Sequence, residues 1–208
     1  MDTKDSGPKR HLLLTIDGVG FETVTWAPSE AEVDLSIACM FEREMPGADL
    51  AGGLLQLDEA LGRALTVFRE AGYFGAQEME TLLVQTPPKT VRARQILLIG
   101  LGNPLTLSSA ILERALRVAV REAIRLGATT VAFAPNLLDA GIRDAASLEV
   151  EDAMVRGVSS ALLAEHRLSE LGLGFPPKIK RWSFDVGPAH FESATSSFTR
   201  AFGSLAPG

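Results

Sequence analysis

Between residues 95 and 135 the chain runs through three segments that leave few folds open. Gln-Ile-Leu-Leu-Ile-Gly-Leu-Gly (95–102) reads as an apolar strand, 107–126 as a helix, and Thr-Thr-Val-Ala-Phe-Ala-Pro (129–135) as a strand again. In the helical segment Leu112, Leu116, Ala119 and Ala123 recur on one face at about 100° per residue, with Arg114, Arg117, Arg121 and Arg125 opposite. A strand, a helix and a strand in that order make a crossover unit, so the two strands should be parallel. The arginine row should be a solvated face rather than a nucleic-acid stripe, because Glu113 and Glu122 are interspersed with it.

The remaining segments fit around that unit. Residues 33–41 (VDLSIACMF) are nearly continuous in apolar character, as expected of a strand buried on both faces. Two strand-like runs, 11–17 and 21–27, flank Gly18-Val19-Gly20 and predict a β-hairpin. A loop over 46–53 leads to a helix expected over 58–71, with Asp58 near its start, Gly72 after its end and a packing reason expected for Gly62. Strands are expected at 81–87 and 178–185, a loop at 136–145, and helices at 148–170 and 190–203. Lys178, Lys180 and Arg181 around Trp182 suggest a charged edge strand. Residues 1–10 read as a disordered arm and 11–208 as one domain.

Composition narrows the function classes. A net charge of −6 and a pI near 5.2 argue against general binding to nucleic acid or acidic membranes. Cys39, the sole cysteine, lies in an apolar run and reads as a buried structural thiol. Neither a signal peptide nor an apolar stretch near the ~20 residues of a membrane helix is visible, so the expected location is the cytoplasm.

Three glycine-bearing turns, 47–53, 100–103 and 134–141, stand at strand ends or before helices, where unpaired backbone N–H groups can meet anions. None matches a phosphate-binding fingerprint. The candidate ligand-binding residues are Asp34, Asp49, Gly52, Gly53, Gly100, Gly102, Asn103, Asn136 and Gly141, and Asp17 also lies near a strand end. His11, His166 and His190 form no close-spaced pair, and there is no Gly-x-Ser-x-Gly. No catalytic residue, metal site or cofactor is therefore assigned.

Taken in order, VDLSIACMF, ADLAGGLLQLDEALGRALT, GAQEMETLLVQTPPKTVRARQILLIGLGNP and LSSAILERALRVAVREAIRLGATTVAFAP resemble the N-terminal domain of the leucine (cytosol) aminopeptidase family. There a Gly-Gly segment leads into an Asp-Glu-Ala-Leu helix, a Glu-Thr-Leu-Leu strand and an apolar strand ending Gly-Leu-Gly. EDAMVRGVSSALLAEHRLSEL resembles the family's helix before its second domain, and the likeness spans about residues 33–200. The resemblance implies a macro-domain-like, three-layer α/β/α fold with a mixed, mostly parallel sheet.

It also implies that peptidase chemistry belongs to the family's C-terminal domain, whose metal-ligand segments, including Asn-Thr-Asp-Ala-Glu-Gly-Arg, do not occur in this sequence. Macro domains bind ADP-ribose; by analogy their first ligand loop matches residues 40–53 and their phosphate loop 134–141. Where hydrolytic members carry Asn-Ala-Ala-Asn, this chain reads Ala38-Cys39-Met40-Phe41, and the second loop reads Pro135-Asn136-Leu137-Leu138-Asp139. Both departures argue against ADP-ribose binding and hydrolysis. The leading expectation is a non-catalytic binding or assembly module for a small anionic or nucleotide-like ligand, a protein partner or a homo-oligomer. The alternatives are a hydrolase of ADP-ribose-like or nucleotide substrates and, less favoured, a DNA-binding accessory protein.

Overall fold

The computed structural model describes residues 7–142 and 148–205. The arm expected over 1–10 and the loop expected over 136–145 lie partly outside these. The hairpin forms as β1 (Arg10–Ile16) and β2 (Val19–Val24), antiparallel about a turn in which Gly18 takes φ +77°. The apolar run supplies β3 (Leu35–Met40), every residue of which is buried. Cys39 is among them, and burial pushes its thiol pKa up, so it packs as a small apolar side chain.

The single helix expected over 58–71 is instead two, α1 (Gly52–Ala60) and α2 (Ala64–Glu70). Gly62 and Arg63 both take φ +67°, a left-handed conformation that breaks the helix. Nothing lies within 4 Å of a Cβ placed on Gly62, so backbone geometry rather than packing favours glycine there. Asp58 does cap a helix, but the second one. Its fully buried carboxylate accepts from the backbone N–H groups of Leu65 (2.9 Å) and Thr66 (3.2 Å).

Next come β4 (Thr81–Val84), β5 (Gln95–Gly100), α3 (Ser109–Arg125) and β6 (Thr130–Ala134). Ser108 caps α3, its hydroxyl accepting from Ile111 N–H. The arginine face of α3 is solvated and paired with carboxylates, Arg114 with Glu78 and Arg121 with Glu165 among them. The chain ends with α4 (Val150–Glu170), β7 (Arg181–Asp185) and α5 (Gly187–Gly203).

The seven strands form one sheet in the order β1-β2-β7-β6-β3-β5-β4, with only the outer pairs, β1/β2 and β4/β5, antiparallel. The two strands of the crossover unit, β5 and β6, are parallel but flank β3 rather than each other. β7 is not an edge strand. It lies between β2 and β6, and Arg181 is tolerated because Glu22 of β2 approaches it (3.5 Å).

Each sheet face has its own core. Leu112, Leu116, Val158 and Phe198 of α3, α4 and α5 pack on Ile37, Leu97, Phe133 and Phe184. Leu54, Leu57 and Leu65 of α1 and α2 pack on Met40, Ile96 and Leu98 across the sheet. Full burial of such a side chain stabilises by about 1.5–3 kcal/mol, enough to fix both helical layers to the sheet. No helix among the described residues is long and apolar enough to cross a membrane.

Candidate functional site

Strands β2, β6 and β7 run parallel and end together at Val24, Ala134 and Asp185. Beyond those carboxyl ends the chain cannot continue the ladder, and its loops diverge around a cavity of about 710 Å³. Trp26, Glu30, Asn136, Asp139, Asp185 and His190 are among its walls. Three helix N-termini also reach it, through Gly52 and Gly53 of α1, Val150 and Glu151 of α4, and Gly187 and Pro188 of α5.

An N-terminus carries unpaired N–H groups and roughly half a positive charge, which ordinarily suits an anion. Here the chain provides its own carboxylates. Oδ2 of Asp139 accepts from Leu54 N–H at the start of α1 (2.8 Å) and from the Asn136 side-chain amide (2.8 Å). A Cβ on Gly52 would stand 2.1 Å from Oδ1 of Asp139, so glycine is required for that carboxylate to seat. Oδ1 of Asp185 accepts from Gly187 N–H at the start of α5 (3.1 Å), and Glu151 stands in the first turn of α4.

Burial pushes the Asp185 carboxyl up to about 7. The bond from Gly187 opposes that rise, while the negative charges of Asp139 and Glu30 add to it. Asp185 is therefore an acid that exchanges its proton near neutrality. Two further polar atoms on the cavity's residues, Nε1 of Trp26 and Oδ1 of Asn136, are buried without a partner in the protein.

The structure brings Gly52, Gly53 and Asn136 together at the cavity and leaves the other candidates outside its walls. Asp34 precedes β3 at the opposite, amino end of the sheet, where its carboxylate accepts from Thr129 N–H (2.9 Å) and Thr130 N–H (3.1 Å). Burial raises its pKa, but those bonds, the Thr129 hydroxyl and Arg94 outweigh it and hold the carboxyl below its usual value. Asp49 is exposed on the loop before α1.

The glycines at the end of β5 answer to backbone contacts. A Cβ on Gly100 would lie 2.0 Å from the Gln77 carbonyl oxygen, and Gly102 (φ +73°) donates to Ala76 (2.9 Å). Asn103 caps a short 3₁₀ turn by accepting from Leu105 N–H (3.1 Å). Gly141 takes φ +86° with no room for a Cβ beside Ala48. Asp139 lies inside the glycine-bearing turn 134–141, whereas Trp26, Glu30 and Asp185 carry no local sequence signal. Among the described residues no group of three or more His, Cys, Asp or Glu could hold a metal ion.

A mixed seven-stranded sheet between two helical layers, with a cavity at the carboxyl ends of the parallel strands, defines a macro-domain-like α/β protein. The model of the cytosol aminopeptidase family's N-terminal domain matches residues 41–170, and the chain belongs to that family. A solved variant of tomato leucine aminopeptidase superposes with a TM-score of 0.63 at 16% identity, covering 88% of this chain and 35% of its own. The chain thus spans about a third of that protein's length.

The Oceanobacillus iheyensis macrodomain solved with ADP gives a TM-score of 0.61 at 14% identity, covering 96% of this chain and 98% of its own. The Trypanosoma brucei macrodomain in complex with ADP-ribose gives 0.59 at 14% identity, covering 92% and 73%. At these identities the likeness establishes the fold alone. No curated protein sequence matches the chain.

Proposed function

We propose that this domain is a non-catalytic binding module whose site is the cavity at the carboxyl ends of β2, β6 and β7. The carrying observation is the cavity itself. Its volume of about 710 Å³ falls within the range of roughly 300–1,000 Å³ typical of small-molecule sites, and convergent polar groups line it. The macrodomains it resembles were solved with ADP and with ADP-ribose, which supports a ligand of nucleotide-like size.

The binding reading is tested by thermal-shift screening with ADP-ribose, ADP, nucleosides, sugar phosphates and small amines. A ligand at 100 times its Kd adds about 2.7 kcal/mol to stability, a rise easily read in Tm. A flat response across the panel overturns the proposal. Hydrolysis of nucleotide-like substrates is the second reading, favoured by one observation: Asp185 has a pKa of about 7 in the cavity, suited to proton transfer at neutral pH. Turnover of ADP-ribose or its esters that Asp185→Asn abolishes would replace the binding module with the enzyme.

A further inference from the structure

Independently of the cavity, we propose that the carboxyl-terminal end of α4 docks a second copy of this chain, the two helices pairing antiparallel about a two-fold axis beside Leu168. α3 and α4 run parallel and in step. Glu113 pairs with Arg156 (3.2 Å), Arg117 with Ser160 (3.2 Å) and Arg121 with Glu165 (3.4 Å), each pair about one turn beyond the last. The next step would set Arg125 beside Ser169, but α3 ends at Arg125, so the last turn of α4 projects past it. Gly157 marks the α4 face that meets α3, since a Cβ there would stand 2.6 Å from the Glu113 carbonyl oxygen. That face continues through Ala164, Leu168 and Leu171, at steps of seven, four and three residues.

The face stays apolar where it leaves α3. No α4 residue after Leu162 is buried, and Leu168 and Leu171 are 39% and 56% exposed. The helix closes at Gly172 (φ +70°), whose N–H donates to the Ser169 carbonyl while that of Leu173 donates to the Leu168 carbonyl. This closure turns the chain back over the last turn, and a Cβ on Gly174 would lie 3.4 Å from that of Leu168. Leu173 (73% exposed) and Phe175 (87%) therefore extend the same patch. Contiguous exposed apolar surface of this kind marks an interaction site, unlike single scattered side chains.

The occupant follows from continuity and from shape. The open position prolongs the α3/α4 interface, so a helix fits it. Ala164 and Leu171 are equidistant from the midpoint between Arg167 and Leu168. An antiparallel second copy consequently sets Leu171 of each chain on Ala164 of the other, large against small, with Leu168 flanking the axis. Arg167 and Glu170 beside the stripe pair with each other (2.8 Å), so neither brings an uncompensated charge to the axis. The cavity is lined by the amino end of the same helix, at Val150, Glu151 and Met154, and stays open in such a dimer.

Sedimentation velocity of the full chain from about 1 to 500 µM tests this assignment, alone and with vesicles of phosphatidylcholine and phosphatidylserine. Two such patches make a small interface beside the roughly 1,200–2,000 Å² of stable complexes, so dimer should replace monomer within that micromolar range. Leu171→Asp and Ala164→Trp, both at positions exposed in the single chain, should each weaken the dimer at least about tenfold. Tyr73→Asp, at an exposed position after α2 on the other side of the sheet, should leave it unchanged. A monomer throughout the range overturns the proposal, as does a dimer indifferent to both α4 variants. Vesicle binding by a monomer that Leu171→Asp abolishes also overturns it and gives the face to a lipid surface.

Discussion

Asp34 and Asp185 stand at opposite ends of one sheet, Asp34 ahead of β3 and Asp185 as the last residue of β7. Asp34 receives two backbone N–H groups and a hydroxyl, pairs with Arg94 (3.3 Å), and is held below its usual pKa. Asp185 receives one N–H group, faces the charges of Asp139 and Glu30, and is pushed up to about 7. Asp34 is thus surrounded by donors, whereas Asp185 is left short of them. On the proposed assignment the amino end of this sheet is scaffold and the carboxyl end holds the ligand site, a division that the residues' distance along the chain does not reveal.

The division can be broken first at its glycines. Gly100→Ala places a methyl against the Gln77 carbonyl, a backbone atom that cannot turn aside. Chemical denaturation should show a loss of about 3 kcal/mol or more. A near-neutral result would move Gly100 out of the scaffold.

Asp34→Ala comes next, with an expected loss of about 1–2 kcal/mol from the charge-assisted hydrogen bonds to Thr129 and Thr130, whose N–H groups water can partly satisfy. Because its folded pKa is lowered, Asp34 contributes stability above the unfolded value of about 4. That contribution disappears as pH falls through the folded value. The variant's deficit should accordingly shrink in acid, and a deficit independent of pH would refute the hydrogen-bonding account.

Asp185→Asn should act in the opposite direction and more weakly. A folded pKa raised to about 7 means that the native state holds a proton the unfolded chain has released between about pH 4 and 7. The wild-type contribution is full below about pH 4 and is lost as pH rises through about 7. Above pH 7 the variant should be the more stable by about 1 kcal/mol, discounted because the side chain is partly exposed. Paired melting curves at pH 5 and pH 8 check this, and a variant less stable at pH 8 would contradict it.

The parallel core was legible because each of its parts has a local period: β3 is apolar throughout and α3 repeats its apolar face every turn. The region 58–71 misled because the apolar pattern continues through Gly62 and Arg63, whose left-handed φ values break the helix. Asp58 accordingly looked like a cap for the wrong helix. Trp182 and its basic neighbours suggested an edge because Glu22, the partner of Arg181, lies on a strand distant in sequence. The cavity was half legible. Gly52, Gly53 and Asn136 lie in glycine-bearing turns that announce themselves, whereas Glu30 and Asp185 join them only when distant loops converge. A carboxylate short of donors at a strand's end has the same sequence signature as a well-paired one, so nothing local in the sequence separates Asp185 from Asp34.

Backbone-amide NMR during titration with ADP-ribose, a probe of nucleotide-like size, tests the proposed division between scaffold and site most directly. Shift changes should gather at Trp26–Glu30, Gly52–Gly53, Asn136–Asp139 and Asp185–Gly187, with Asp34, Thr129 and Gly100 still. Changes centred on Asp34 and Thr129, or saturable binding that leaves the cavity's amides unmoved, would contradict it.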